Sequence, residues 1–171
     1  AWTTTPWTLP SNTALTVGKG IEYLIIETFN QYTFLPIRIL IAKKLIDKQF
    51  GNRYIIVNDA SKLKSFNKKN KMIPYLIVSS HLGKDLIGIR YEQLWNESPV
   101  PASNPGDAFR VIEGDFVTVD DGTGIVHTAP TFGADDARVA KESIPEVPPL
   151  LVLDENKNYV PLVDLDGKFR K

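Results

Sequence analysis

The chain opens on a dense run of hydroxyls, Thr3, Thr4, Thr5, Thr8, Ser11 and Thr13, with Pro6, Trp7 and Pro10 set among them. Threonine hydroxyls donate and accept hydrogen bonds, and a backbone stiffened by proline and tryptophan would hold them preorganised around a ribose, a carbonyl or a water. The same composition also fits a β-prone lead into a strand. Far downstream, GTGIVHTAPTFGADD places His127 at the end of a strand-like run and Asp135 and Asp136 in the first turn of a helix. Carboxylates there either anchor a cationic group or complement the helix dipole, the latter worth on the order of 1 kcal/mol. His127 is open to three roles: proton shuttle, substrate wall, or core residue hydrogen-bonded to backbone. His81, beside Ser79 and Ser80, reads as structural.

Between these stretches, Lys62, Lys64, Lys68, Lys69, Lys71 and Lys84 occur with no acidic residue from Ala60 to Lys84. The run suits phosphate binding, and equally a solvated loop, because the aromatic interleaving of a single-strand binder is missing from it. Gly122 to Gly124 is not a dinucleotide fingerprint, since no GxGxxG spacing opens a helix there.

With 171 residues, 43% of them hydrophobic, residues 1–171 are expected to make one domain. Equal numbers of acidic and basic residues exclude a global field toward polyanions. The absence of cysteine, with two histidines, argues against a disulfide framework, a thiol nucleophile or a metal site. No apolar run approaches the roughly 20 residues of a bilayer span and no signal peptide opens the chain, so no membrane partner and a cytoplasmic location are expected. The Ala-Trp start and the closing GKFRK read as a piece of a longer protein.

The positioning elements follow from periodicity. Ile21 to Phe29, RYIIVND, PYLIVSSHLG and IGIRYEQLW read as strands, the middle two separated by polar residues Ala60 to Lys71. Ile37, Leu40, Ile41 and Leu45 share one helical stripe, and Pro36 and Gly51 bracket a helix over PIRILIAKKLIDKQF. AFRVI and FVTVD are expected to pair as a hairpin across Glu113-Gly114-Asp115, and LLVLDENKNYVPLV as a last hairpin. GADDARVAKES reads as a short helix stopped by Pro145. The sum is a β-rich α+β fold, a closed or nearly closed β-barrel with peripheral helices.

WTTTPWTLPSNTAL and GTGIVHTAPTFGADD together resemble the two signature stretches of the CP1 editing domain of isoleucyl-tRNA synthetase. LGKDLIGIRYEQLW and AFRVIEGDFVT extend the resemblance over most of the chain. Thr5 and Trp7 stand where the valine and leucine enzymes resemble Thr-Thr-Arg-Pro followed by an acid, which points to the isoleucine branch. Thr131-Phe132 departs from the Gly-His of many bacterial members.

The resemblance implies hydrolysis of valine wrongly esterified to isoleucine tRNA. It implies Thr3, Thr4, Thr5 and Asp136 as catalytic, with Trp7, Asn12, His127 and Asp136 binding substrate and Asp136 taking its amino group. The basic run, Lys62, Lys64, Lys68, Lys69 and Lys71, would meet tRNA. No cofactor is expected in this chain; ATP and magnesium belong to a synthetic domain elsewhere in the same polypeptide. Two competing readings are a non-catalytic RNA-binding β-barrel, for which Phe29, Tyr32 and Phe34 would have to stack bases, and a valine-type domain acting on threonyl-tRNA.

Overall fold

A computed structural model describes residues 1–95, 97–164 and 166–169; Arg170 and Lys171 of the closing GKFRK lie outside the described residues. The architecture is strand-rich α+β. In chain order it comprises β1 (Ala14–Val17), β2 (Glu22–Phe29), β3 (Pro36–Ala42), α1 (Ile46–Phe50), β4 (Tyr54–Ile56), α2 (Ala60–Lys64) and β5 (Ile73–Leu82). Then come β6 (Arg110–Glu113), β7 (Ile125–Thr128), α3 (Ala134–Glu142), β8 (Leu151–Leu153) and β9 (Tyr159–Pro161).

Three sheets result, ordered β6-β1-β7, β3-β2-β5-β4 and β8-β9. Among the described residues no sheet closes on itself, so the closed or nearly closed barrel expected from sequence is not confirmed.

The segment read as the main helix is largely strand. Ile37, Ile39 and Ile41 alternate along β3 and pair with Thr28, Ile26 and Leu24 of β2. A helical stripe and a period-two run coincide there, and the neighbouring strand decides in favour of β-branched pairing. Only Ile46–Phe50 is α-helical, and Gly51 ends it at φ 49°, a left-handed conformation that glycine adopts without a Cβ penalty.

Two further expectations change. FVTVD forms no hairpin with β6, because both edges of β6 are taken, one by β1 in parallel, Ala14 opposite Arg110, and the other by residues 88–91. IGIRYEQLW is a turn and an extended segment rather than a strand, tied to β6 by Val111 N–H to Ile89 O (2.8 Å), Tyr91 N–H to Phe109 O (3.0 Å) and the Arg90–Arg110 bridge. The polar stretch after β4 contains α2, capped by Asp59, whose side chain accepts from Ser61 N–H at 2.8 Å. The β8-β9 hairpin forms as the sequence suggests.

The main core lies between the two larger sheets, around Val17, Tyr23, Ile26, Ile41, Leu45 and Ile125. Tyr23 is fully buried; its hydroxyl donates to Gly124 O at 2.6 Å and accepts from Gly18 N–H at 3.1 Å. A Cβ on Gly124 would come within 2.5 Å of the Ala42 methyl. Close approach at that glycine seats the start of β7 against β2 and β3. A second cluster, Ala14, Ile112, Val139, Ala140 and Val147, packs α3 onto the β6-β1-β7 sheet.

Candidate active site: the threonine cleft

Strand pairing brings the two chemistry-bearing stretches together. β1 runs antiparallel to β7 with Leu15 opposite His127 and Ala14 opposite Thr128. Upstream of β1, a 3-10 turn over Pro6–Ser11, with Pro6 in its first turn, folds the chain back until Trp2 bridges Val126 in parallel. Thr3, Thr4 and Thr5 thereby lie beside His127. With Trp7, Gly133 and Asp136 they line one cleft of about 490 Å³.

The hydroxyls are linked. Thr3 Oγ1 accepts from Thr5 N–H at 3.0 Å and lies 3.2 Å from Thr5 Oγ1. Thr8 is buried, donates to Thr5 O at 2.8 Å and has its Oγ1 3.0 Å from His127 Nε2. Asn12 Nδ2 donates to His127 Nδ1 at 2.8 Å and to Ala14 O at 2.7 Å. Both ring nitrogens of His127 are therefore engaged by protein, which leaves no free lone pair for shuttling a proton. The imidazole is a wall of the cleft, and Asn12 stands behind it rather than lining the opening.

Burial lowers the His127 pKa to about 4. The folded protein thus binds fewer protons here than the unfolded chain between about pH 6.5 and pH 4. Stability attributable to neutral His127 is fully present above that window and falls as acid is added through it. The expected result is a thermal midpoint that drops over this range, less steeply in His127→Gln, with the ring protons titrating near pH 4 in NMR.

Asp135 and Asp136 part company at the start of α3. Asp135 is exposed and lies 3.6 Å from Arg138. Asp136 faces the cleft, and its Oδ2 accepts from Ala129 N–H at 2.8 Å, pinning the loop that follows β7. Burial raises the Asp136 pKa, the Ala129 hydrogen bond opposes the rise and the Asp135 charge adds to it. A half-buried carboxylate facing an opening, with no salt-bridge partner among the described residues, is suited to an ammonium ligand.

Sequence reasoning missed Gly133. A Cβ at that position would sit 2.9 Å from Asp136 Cγ and 3.1 Å from its Oδ2, so the missing side chain makes room for the carboxylate. The spacing of three residues across a helix start was the available signal. Gly133→Ala is expected to push the carboxylate aside with α3 intact, costing roughly 1 kcal/mol in stability and more in any activity that uses Asp136. Circular dichroism and a rate measurement check the two halves. Trp2, Val126 and Phe132 also line the cleft; they lie in the two signature stretches, but no site role was read for Trp2 or Val126 from their residue types.

The lysines do not join this cleft. Lys62, Lys64, Lys68, Lys69 and Lys71 are exposed on and after α2. Lys68 Nζ lies 5.9 Å from the centre of the Phe34 ring. Phe66 packs on Phe29 with ring centres 4.5 Å apart and lies 6.3 Å from Phe34, so these aromatics are engaged with one another. Among the described residues no group of three or more His, Asp or Glu is placed to hold a metal, and no helix is long and apolar enough to cross a membrane.

No family model matches the chain. The solved structure of GlLeuRS-CP1 superposes with a TM-score of 0.53 at 18% identity, covering 82% of this chain and 41% of that one. The fold is thus that of a tRNA-synthetase CP1 domain. At the level of sequence, the chain is 52% identical over 172 residues to isoleucine–tRNA ligase of Cytophaga hutchinsonii, and 52% identical over 171 residues to that of Porphyromonas gingivalis. A more distant relative, from Clostridium tetani, is 37% identical over 170 residues. These matches cover 99 to 100% of this chain, which spans only 12 to 14% of the length of those proteins. The chain is a homologue of the CP1 segment of isoleucine–tRNA ligase.

Proposed function

We propose that this chain hydrolyses the ester between valine and isoleucine tRNA, as the proofreading unit of a longer synthetase that acts in the cytoplasm beside its synthetic part. The observation that carries the reading is the convergence of Thr3, Thr4, Thr5, His127 and Asp136 on one cleft. Its volume of about 490 Å³ suits an aminoacylated adenosine end rather than an amino acid alone.

A synthetic site distinguishes isoleucine from valine by one methylene, worth roughly 1–3 kcal/mol, and this pair is the standard example of that limit. A second site that admits valine turns the same methylene into a collision. Here Asp136 takes the α-ammonium, His127 and Trp7 bound the side chain, and the threonines orient the terminal ribose, the ester carbonyl and a water. The water oxygen bonds to the carbonyl carbon, the bond from that carbon to the ribose oxygen breaks, and the ribose oxygen takes the proton. With both His127 nitrogens occupied, orientation and a neighbouring ribose hydroxyl carry the step rather than a protein base.

The exposed lysines contribute a weak tRNA affinity that should fall with added salt, measured by filter binding. The deciding experiment compares hydrolysis of valyl-, isoleucyl- and threonyl-tRNA by the chain. Valyl-tRNA is expected to be cleaved at least tenfold faster than isoleucyl-tRNA, the low end of one-methylene discrimination. Equal rates remove the size filter, and preference for threonyl-tRNA moves the chain to the valine-type reading. Absence of any hydrolysis leaves a docking module.

A further inference from the structure

We propose that Tyr91, in the extended segment beside β6, is a positioning residue that holds His127 in its Nε2–H tautomer through Asn12. The inference rests on the proposed cleft chemistry for its functional consequence, but its geometry stands apart from it.

The donors and acceptors leave one consistent assignment. Thr5 O can only accept, so the Thr8 hydroxyl spends its proton there, at 2.8 Å. Thr8 Oγ1 is then free only to accept from His127 Nε2, at 3.0 Å, and that nitrogen carries the proton. His127 Nδ1 must consequently accept, which requires an amide N–H from Asn12 at 2.8 Å. The Asn12 orientation is set independently, because its Nδ2 also faces two carbonyls, Ala14 O at 2.7 Å and Thr128 O at 3.3 Å. Turned this way, Asn12 presents Oδ1 to the Tyr91 hydroxyl, which donates to it.

Tyr91 thus closes a polarised chain that runs from the segment beside β6 through Asn12, His127 and Thr8 to the backbone of the threonine cluster. Burial raises the Tyr91 pKa, so the hydroxyl remains a donor throughout the working pH range. Its ring packs edge-on against Phe109, with centres 6.2 Å apart, and a phenylalanine would keep that contact. Without the hydroxyl, Asn12 Oδ1 loses its donor. The amide is then held only through Nδ2, which Ala14 O and Thr128 O draw away from His127 Nδ1, and the imidazole loses part of what fixes its tautomer.

The test is Tyr91→Phe in the full chain, labelled with ¹⁵N-histidine, with His81 as an internal reference. Wild-type His127 is expected to show one Nε2–H species, and the variant a mixture of both tautomers, with circular dichroism unchanged. Valyl-tRNA hydrolysis should fall about tenfold, the scale of one lost buried hydrogen bond, and isoleucyl-tRNA should become a better relative substrate. A purely structural role for Tyr91 would lower the melting temperature without moving the tautomer ratio. An Nδ1–H wild type, or a single Nε2–H species persisting in Tyr91→Phe, overturns the proposal. If wild type hydrolyses nothing, the functional reading fails while the ¹⁵N spectrum still decides the role of Tyr91.

Discussion

Asp136→Asn is expected to lower valyl-tRNA hydrolysis about a hundredfold, the scale of a charge-assisted hydrogen bond removed from a low-dielectric cleft. The amide oxygen can still accept from Ala129 N–H, so the loop after β7 stays in place. Stability should hold or rise. Burial raises the Asp136 pKa, which means that the ionised form is disfavoured in the folded state. That penalty is present above the raised pKa and disappears as acid protonates the group, so any stabilisation by asparagine appears at neutral pH and vanishes in acid. Asp135→Ala should leave hydrolysis near wild type, because Asp135 is exposed and turned to Arg138. Parallel rate and melting measurements on both variants check this. A rate unchanged in Asp136→Asn returns the residue to the role of a loop staple.

His127→Ala carries the second large effect, and it is a gain. Truncating a cleft wall relaxes the size limit, so isoleucyl-tRNA should be hydrolysed roughly 10–200-fold faster than by wild type, the span of one methylene in an apolar pocket. Thr8 Oγ1 and Asn12 Nδ2 each lose a partner, at about 1–3 kcal/mol per buried group left unpaired. The melting temperature should therefore fall. Rates on valyl- and isoleucyl-tRNA, measured below the new transition, separate the outcomes. Equal losses on both substrates would mean that His127 holds the cleft together without sorting what enters it.

Local residue chemistry was most legible where it was densest. The hydroxyl run and the Asp pair are visible in the sequence, and both lie where the cleft forms. Less legible was which aspartate faces inward, since Asp135 and Asp136 are equivalent by composition and differ by one helical step of rotation. Gly133 and Tyr91 escaped because their roles are relations, room for a carboxylate and a donor to an amide, and Thr8, visible in the hydroxyl run, gave no sign that it would partner Nε2. The lysines were legible as a charge run, yet their position on and after α2 keeps them out of the threonine cleft.

The helix expected over residues 36–50 shows the same limit in the fold. Ile37, Leu40, Ile41 and Leu45 satisfy a helical stripe while Ile37, Ile39 and Ile41 satisfy a strand alternation, and the choice belongs to β2, whose free edge accepts their backbone. The hairpin expected after β6 failed for a related reason, because β1 offered a parallel ladder that the local turn signal could not reveal.

By itself, then, the order of residues determined the chemical inventory, the absence of thiols, and some of the elements, α3 and the β8-β9 hairpin among them. Tertiary structure alone decided that Thr8 meets His127 across 119 positions and that three open sheets form where a barrel was expected. The physical reason is that short strands carry little preference of their own. Their register and partners are set by which edges remain unpaired and which side chains can be buried together, quantities that exist only once the chain has closed on itself.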